Sequence, residues 1–171
     1  MNCRLLNQSV ERMTTGGRRS RGRAPWATAI AQFHRGKRQH DMASQFNTVF
    51  LSLRSILEKY SGSLTVSEDA PTRYCLEGRP GPATLRAWGG KMRRPTLPVA
   101  WTQIGRSYVS FHLMALDGDT IGREGLSKEL RVRMQGKTCF NFQAIDESLL
   151  RELDALTARE CEVFRKAGFI E

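Results

Sequence analysis

His112 and Cys139 are the two side chains in this sequence with the chemistry for nucleophilic attack, and both stand in segments that read as β-strands. A Cys–His pair is the minimum for thiolate catalysis, because the imidazole can take the thiol proton. A nucleophilic cysteine also needs an electropositive, partly exposed setting and a third group to orient its base, and the spacing fixes neither. The pair therefore reads as part of a binding surface, with no catalytic residue assigned. Trp101, Tyr108, Ser110 and Asn141 stand in the same or neighbouring strand segments. Half aromatic and half hydrogen-bonding, such a set has the composition of a ligand pocket or a base-stacking platform. The structural alternative is that a helix or loop covers it and makes Trp101 and Tyr108 a second small core.

The elements that must position these residues follow from periodicity. Val99–Ile104 and Ser107–Ala115 are apolar runs separated by Gly105-Arg106, the signature of a hairpin closed by a type II′ turn. That closure pairs Ile104 with Ser107, Gln103 with Tyr108 and Trp101 with Ser110. Side chains alternate with period two. One hairpin face then carries Ala100, Thr102, Ile104, Val109, Phe111, Leu113 and Ala115, which is core. The other carries Val99, Trp101, Gln103, Tyr108, Ser110, His112 and Met114. If Thr138–Phe142 joins the sheet with Phe140 and Phe142 inward, Cys139 and Asn141 join that second face.

Upstream, Ser44 reads as the N-cap of a helix whose stripe runs from Phe46 to Tyr60, with Gly62 as its stop. Leu64–Ser67 and Thr72–Glu77 read as short strands around the turn-prone Glu68-Asp69-Ala70-Pro71. The Gly- and Pro-rich stretch from Gly78 to Pro98 reads as loop, with a strand near Thr84–Trp88. Ser127 caps a short helix and Asp146 a final one, whose stripe is Leu149, Leu150, Leu153, Leu156, Cys161 and Phe164. Helix, strands and hairpin, short helix, strand, helix is the order of an α+β fold. An antiparallel sheet with N- and C-terminal helices packed on it is expected, as a single compact domain.

Charge divides the chain. Residues 1–41 carry nine Arg and Lys against Glu11 and Asp41, a net of +7, while residues 42–171 carry 18 basic and 15 acidic residues, a net of +3. Residues 1–41 read as a disordered basic leader, untranslated if synthesis starts at Met42, or a targeting segment; residues 42–171 read as the domain. Arg18, Arg19, Arg21 and Arg23 in the leader could follow nucleic-acid phosphates. Trp88-Gly89-Gly90-Lys91-Met92-Arg93-Arg94 joins backbone freedom to three cations. Lys91 could cradle an anion there, and Arg93 and Arg94 could extend a nucleic-acid surface. It is not a P-loop, since the first glycine spacing and a Ser or Thr after Lys91 are missing.

Cys3, Cys75, Cys139 and Cys161 form no C-x-x-C pair and read as reduced thiols in a cytoplasmic protein. No metal-ligand cluster or cofactor fingerprint is expected, and no apolar run reaches the ~20 residues of a membrane span.

Glu77-Gly-Arg-Pro-Gly-Pro82, Trp88-Gly-Gly-Lys-Met92, Ile104-Gly-Arg-Ser-Tyr-Val-Ser-Phe-His-Leu-Met114 and Met134-Gln-Gly-Lys-Thr-Cys-Phe-Asn-Phe142 together resemble the YdhG-like bacterial family of unknown function. The likeness runs from about Phe46 to Ile170. It implies a compact α/β domain and, because some members carry the description iron chaperone, iron handling. Iron delivery by carboxylates needs several on one face. In the last helix Asp146, Glu147, Glu152, Asp154, Glu160 and Glu162 are interleaved with Arg151, Arg159, Arg165 and Lys166, the pattern of a solvated helix face. The leading expectation is therefore a small binding module holding an anionic small molecule or a partner segment on the Trp101/Tyr108/His112 face. A nucleic-acid-associated protein and an iron chaperone are the alternatives.

Overall fold

Phe46, Val49, Phe50, Leu53, Ile56 and Leu57 recur at three- and four-residue steps and form the buried stripe of helix α1 (Pro25–Glu58). The structure is a computed structural model. It describes the backbone of residues 25–87, 89–90, 94–166 and 168, and the side chains from Asp41 onward within those ranges except Ala87. The chain divides into two units, Met1–Gly36 and Lys37–Glu171, so the division falls after Gly36 rather than after Asp41. In the first unit residues 25–36 are helical. Because α1 begins at Pro25, Ser44 lies inside it and is not its N-cap; the Ser44 carbonyl instead accepts the Thr48 hydroxyl at 3.0 Å.

The second unit holds a six-stranded antiparallel sheet. Its strands are β1 (Thr65–Ala70), β2 (Arg73–Gly78), β3 (Leu97–Ile104), β4 (Val109–Leu113), β5 (Met134–Gln135) and β6 (Cys139–Phe142), in the order β1-β2-β3-β4-β6-β5. Short helices α2 (Pro82–Ala87), α3 (Thr120–Glu124) and α4 (Lys128–Arg133), and a 3₁₀ turn at Met114–Asp117, join these strands. The last element is α5 (Glu147–Lys166). The architecture is the α+β arrangement that the element order implies.

Register assigns the faces. Tyr74, Thr102, Phe111, Phe140 and Met134 stand opposite one another across five strands. With Leu76, Ala100, Leu113, Val109 and Phe142 they make the face that joins the stripes of α1 and α5 in one core. Phe111, Phe140 and Phe142 are fully buried. Thr102 is tolerated among them because its hydroxyl donates to the Ser110 carbonyl at 3.0 Å. Polar clips fix the helices on this face. Arg54 of α1 pairs with Asp69 of β1 at 2.8 Å and lies 4.8 Å over the Tyr74 ring. Glu152 of α5 accepts both the backbone N–H (2.8 Å) and the hydroxyl (2.6 Å) of Ser127, the N-cap of α4.

Several local expectations are corrected. Residues 82–87 form a helix and no strand: Pro82 supplies a first-turn residue whose missing N–H costs nothing there, and Gly89 follows in the left-handed region (φ +75°). Glu68-Asp69-Ala70 belongs to β1, and the turn is Pro71-Thr72. The β3–β4 hairpin closes through four residues, Gly105–Tyr108, with the Gly105 N–H donating to the Tyr108 carbonyl at 2.8 Å. Pairing accordingly runs Ile104 with Val109, Gln103 with Ser110 and Trp101 with His112.

Truncating Phe111 to alanine should cost about 3–5 kcal/mol in urea unfolding, since the site is fully enclosed. Val132→Ala, at a residue 76% exposed, should change stability by less than about 0.5 kcal/mol. Equal costs for the two would place the core on the wrong side of the sheet.

Candidate functional site

The sheet face opposite the core carries two rows. Cys75, Trp101, His112, Cys139 and Gln135 run across β2, β3, β4, β6 and β5; Arg73, Gln103, Ser110 and Asn141 run parallel to them. The two-residue shift in hairpin pairing keeps Trp101, Gln103, Ser110 and His112 on this face, because only an odd slip exchanges faces; Val99, expected beside them, is buried with the core cluster, and Met114 lies in the 3₁₀ turn. The shift does change neighbours. Trp101 now stands directly opposite His112, and the two rings stack with centroids 4.2 Å apart and planes inclined by 10°. Trp101, Ser110, His112, Cys139 and Asn141 are all half-buried on this face.

Tyr108 is not among them. The longer loop lifts it out of the strand, leaving it 36% exposed beside α4, where it and Asn141 line a separate groove with Lys128 and Arg133. Lys91, Arg18, Arg19, Arg21, Arg23 and Arg93 lie outside the described residues, and Arg94 is exposed.

Polar contacts along the rows are saturated mostly by one another. Cys139 Sγ lies 3.5 Å from His112 Nε2 and donates to Asn141 Oδ1 at 3.4 Å. Asn141 Nδ2 in turn donates to Gln135 Oε1 at 2.9 Å. Arg73 donates to Gln103 Oε1 at 3.1 Å and pairs with Glu68 at 2.9 Å. Burial, with help from the Arg73 charge, lowers the His112 pKa to about 4, and burial raises that of the Cys139 thiol. At neutral pH the pair is thus an uncharged imidazole beside an uncharged thiol. Thiolate attack requires the opposite protonation of both, so the resting pair is not a thiolate–imidazolium nucleophile. Cys161 is buried core with its pKa pushed up to about 11, and Cys75 is buried as well. Among the described residues, no group of three or more His, Cys, Asp and Glu could hold a metal ion.

Where the Trp101 row meets the strand ends, a cavity of about 750 Å³ opens. Leu97, Pro98, Val99 and Trp101 of β3 form one wall, Met114 and Ala115 another, and Val163 and Phe164 of α5 a third, with Asp117, Gly118 and Asp119 completing it. Asp119 is both lining and scaffold. Its carboxylate caps α3 by accepting the Gly122 N–H at 2.9 Å and pairs with Arg159 at 3.0 Å. The Gly122 N–H, chiefly, holds its carboxyl below the usual range. Gly122 leaves room for this pair: a Cβ there would press on the ends of the Arg159 and Asp119 side chains, which would have to shift. Arg159 also bonds Glu160 Oε1 at 2.5 Å, and Glu160 is fully buried with no hydrogen-bond partner for Oε2. Burial pushes its carboxyl up. The solvated reading of the α5 acids is therefore corrected at Glu160 and at Glu152, which holds Ser127, whereas Asp154 pairs with Lys59 at 2.7 Å in an exposed contact. Glu160 was visible in the sequence as an acid at stripe spacing, four residues after Leu156 and four before Phe164. Nothing in the spacing marks Asp117 and Asp119 as cavity residues, because a turn and a three-residue approach bring them there.

His112 sets a pH dependence. Its folded pKa lies below the unfolded 6.5, so the unfolded chain binds more protons between those values. Its contribution to stability is complete above about pH 6.5 and is lost as pH falls through 4. His112→Gln should flatten the stability profile across that window, and an NMR titration of the ring should show a midpoint near 4. A midpoint at the ordinary 6.5 would mean the ring is solvated and the stack open.

No family model, no curated protein and no solved structure matches this chain, so its function is argued from its side chains alone.

Proposed function

We propose that this protein is a small-molecule binding module whose site is the cavity walled by Trp101 and braced by the Trp101–His112 stack. The supporting observation is the lining itself: eight apolar side chains around about 750 Å³, with polar groups confined to one end. That size and polarity suit a ligand with a flat or chain-like apolar body. Trp101 is held from one side by His112, so its ring is presented at low entropic cost. The uncharged His112 and Cys139 make the adjoining rows a neutral hydrogen-bonding surface for the part of the ligand that extends along the sheet.

An anionic ligand was the expectation attached to Lys91, which lies outside the described residues. Among the described residues the charged groups lining the cavity are Asp117 and Asp119. A nucleic-acid reading draws on the leader arginines, Arg93 and the exposed Arg94, and iron handling on the family resemblance; neither has a described arrangement of side chains that favours it over the cavity.

The uncharged fluorophore N-phenyl-1-naphthylamine should bind with a one-site, saturable fluorescence rise. Trp101→Ala should weaken that binding by about tenfold while shifting the urea midpoint little, and Val132→Ala should leave it unchanged. Undiminished binding by a folded Trp101→Ala protein would remove the cavity as the site.

A further inference from the structure

The cavity is apolar on three sides and acidic at its remaining end. Asp117 and Asp119 are its charged lining residues among those described, and Trp101 and Phe164 are its aromatic ones. Resting on the binding-module reading above, we propose that the ligand is an amphipathic amine. Its apolar body lies among Leu97, Val99, Met114 and Phe164, and its ammonium group sits at the Asp117–Asp119 end.

Three features of the site favour a cation there over an alcohol or a carboxylate. Asp119 is a carboxylate at neutral pH with only 19% of its side chain exposed, so a charge-assisted hydrogen bond to it is weakly screened. Its existing partners, Arg159 and the Gly122 N–H, approach from α5 and α3 and are not among the lining residues, so they orient the carboxylate without filling the cavity. The Trp101 face attracts cations through its quadrupole, and the ring stacked on it, His112, is uncharged and adds no repulsion.

Among the described residues, an anionic headgroup would meet Asp117 and Asp119 with no cation in the lining itself, their partners Lys137 and Arg159 standing outside it. The Lys137–Asp117 pair, at 3.3 Å with both side chains 64% exposed, is a screened surface contact that an ammonium ion can displace.

Three probes of matched apolar body separate the possibilities on the full-length protein: 4-phenylbutylamine, 4-phenylbutanol and 4-phenylbutyrate. Affinity is read by calorimetry, and occupancy by the indole N–H shift of Trp101, assigned with Trp101→Phe. The amine should bind about tenfold more tightly than the alcohol, and the carboxylate most weakly. Asp119→Asn, which keeps the α3 cap, should erase most of the amine's advantage and leave alcohol binding unchanged. Asp117→Asn, at an exposed position, should reduce it by a smaller factor. Equal binding of amine and alcohol with a shifted Trp101 signal would overturn the charge assignment and leave the cavity standing. Preferential binding of the carboxylate would do the same. No Trp101 shift with any probe would overturn both the assignment and the binding-module reading on which it rests.

Discussion

The direct pairing of Trp101 with His112 across β3 and β4 is the contact on which the second sheet face depends. It follows from a constraint that acts one residue away: Thr102 opposite Phe111, with Tyr74 and Phe140 on either side, must face α1 and α5. Once that row is buried, period-two alternation leaves the next row no freedom, and Cys75, Trp101, His112, Cys139 and Gln135 must point away. The core therefore specifies the membership of the second face by exclusion. Burial of the phenylalanine row is worth several kcal/mol per residue, far more than any contact on the second face, so the second face is free to carry polar and titratable groups.

What those groups do is decided by desolvation. A Cys–His pair 3.5 Å apart has catalytic geometry, but catalysis depends on which species is populated. Half-burial without a nearby carboxylate disfavours the imidazolium, and the Arg73 charge disfavours it further. The same burial disfavours the thiolate. The thiol is accordingly held further from its thiolate form than an exposed cysteine would be. The protonation states make the pair a neutral donor–acceptor unit beside the Trp101 ring.

Terminal helices around an antiparallel sheet, the core stripe of α5, the caps at Ser127 and Asp146 and the shared face of Trp101, Ser110, His112, Cys139 and Asn141 could be read from residue pattern, because each rests on local periodicity or a local hydrogen bond. The misread features have a different physical origin. A two-residue and a four-residue closure at Gly105 satisfy the same alternation, so the pattern preserved the faces but misplaced Tyr108 and the partner of Trp101. The start of α1 was obscured because Ser44 has cap chemistry wherever it stands, and a serine inside a helix looks the same in sequence. Pro82 was read as a loop signal although it equally opens a helix. The cavity was invisible for a further reason. Its walls come from β3, the turn after β4 and the far end of α5, brought together only by tertiary packing.

Glu160 is the position where local rules and the fold disagree most. It occupies a site on the α5 stripe where leucine would bury cleanly, yet it is a carboxyl with one oxygen tied to Arg159 and the other without a partner. A buried ionisable group with an unmet acceptor costs stability, and pairing with Arg159 offsets only part of that cost. The same arginine reaches Asp119 and packs close against Gly122. A buried acid and an arginine shared between two carboxylates thus converge on one lining residue of the cavity, an arrangement that core burial by itself does not call for.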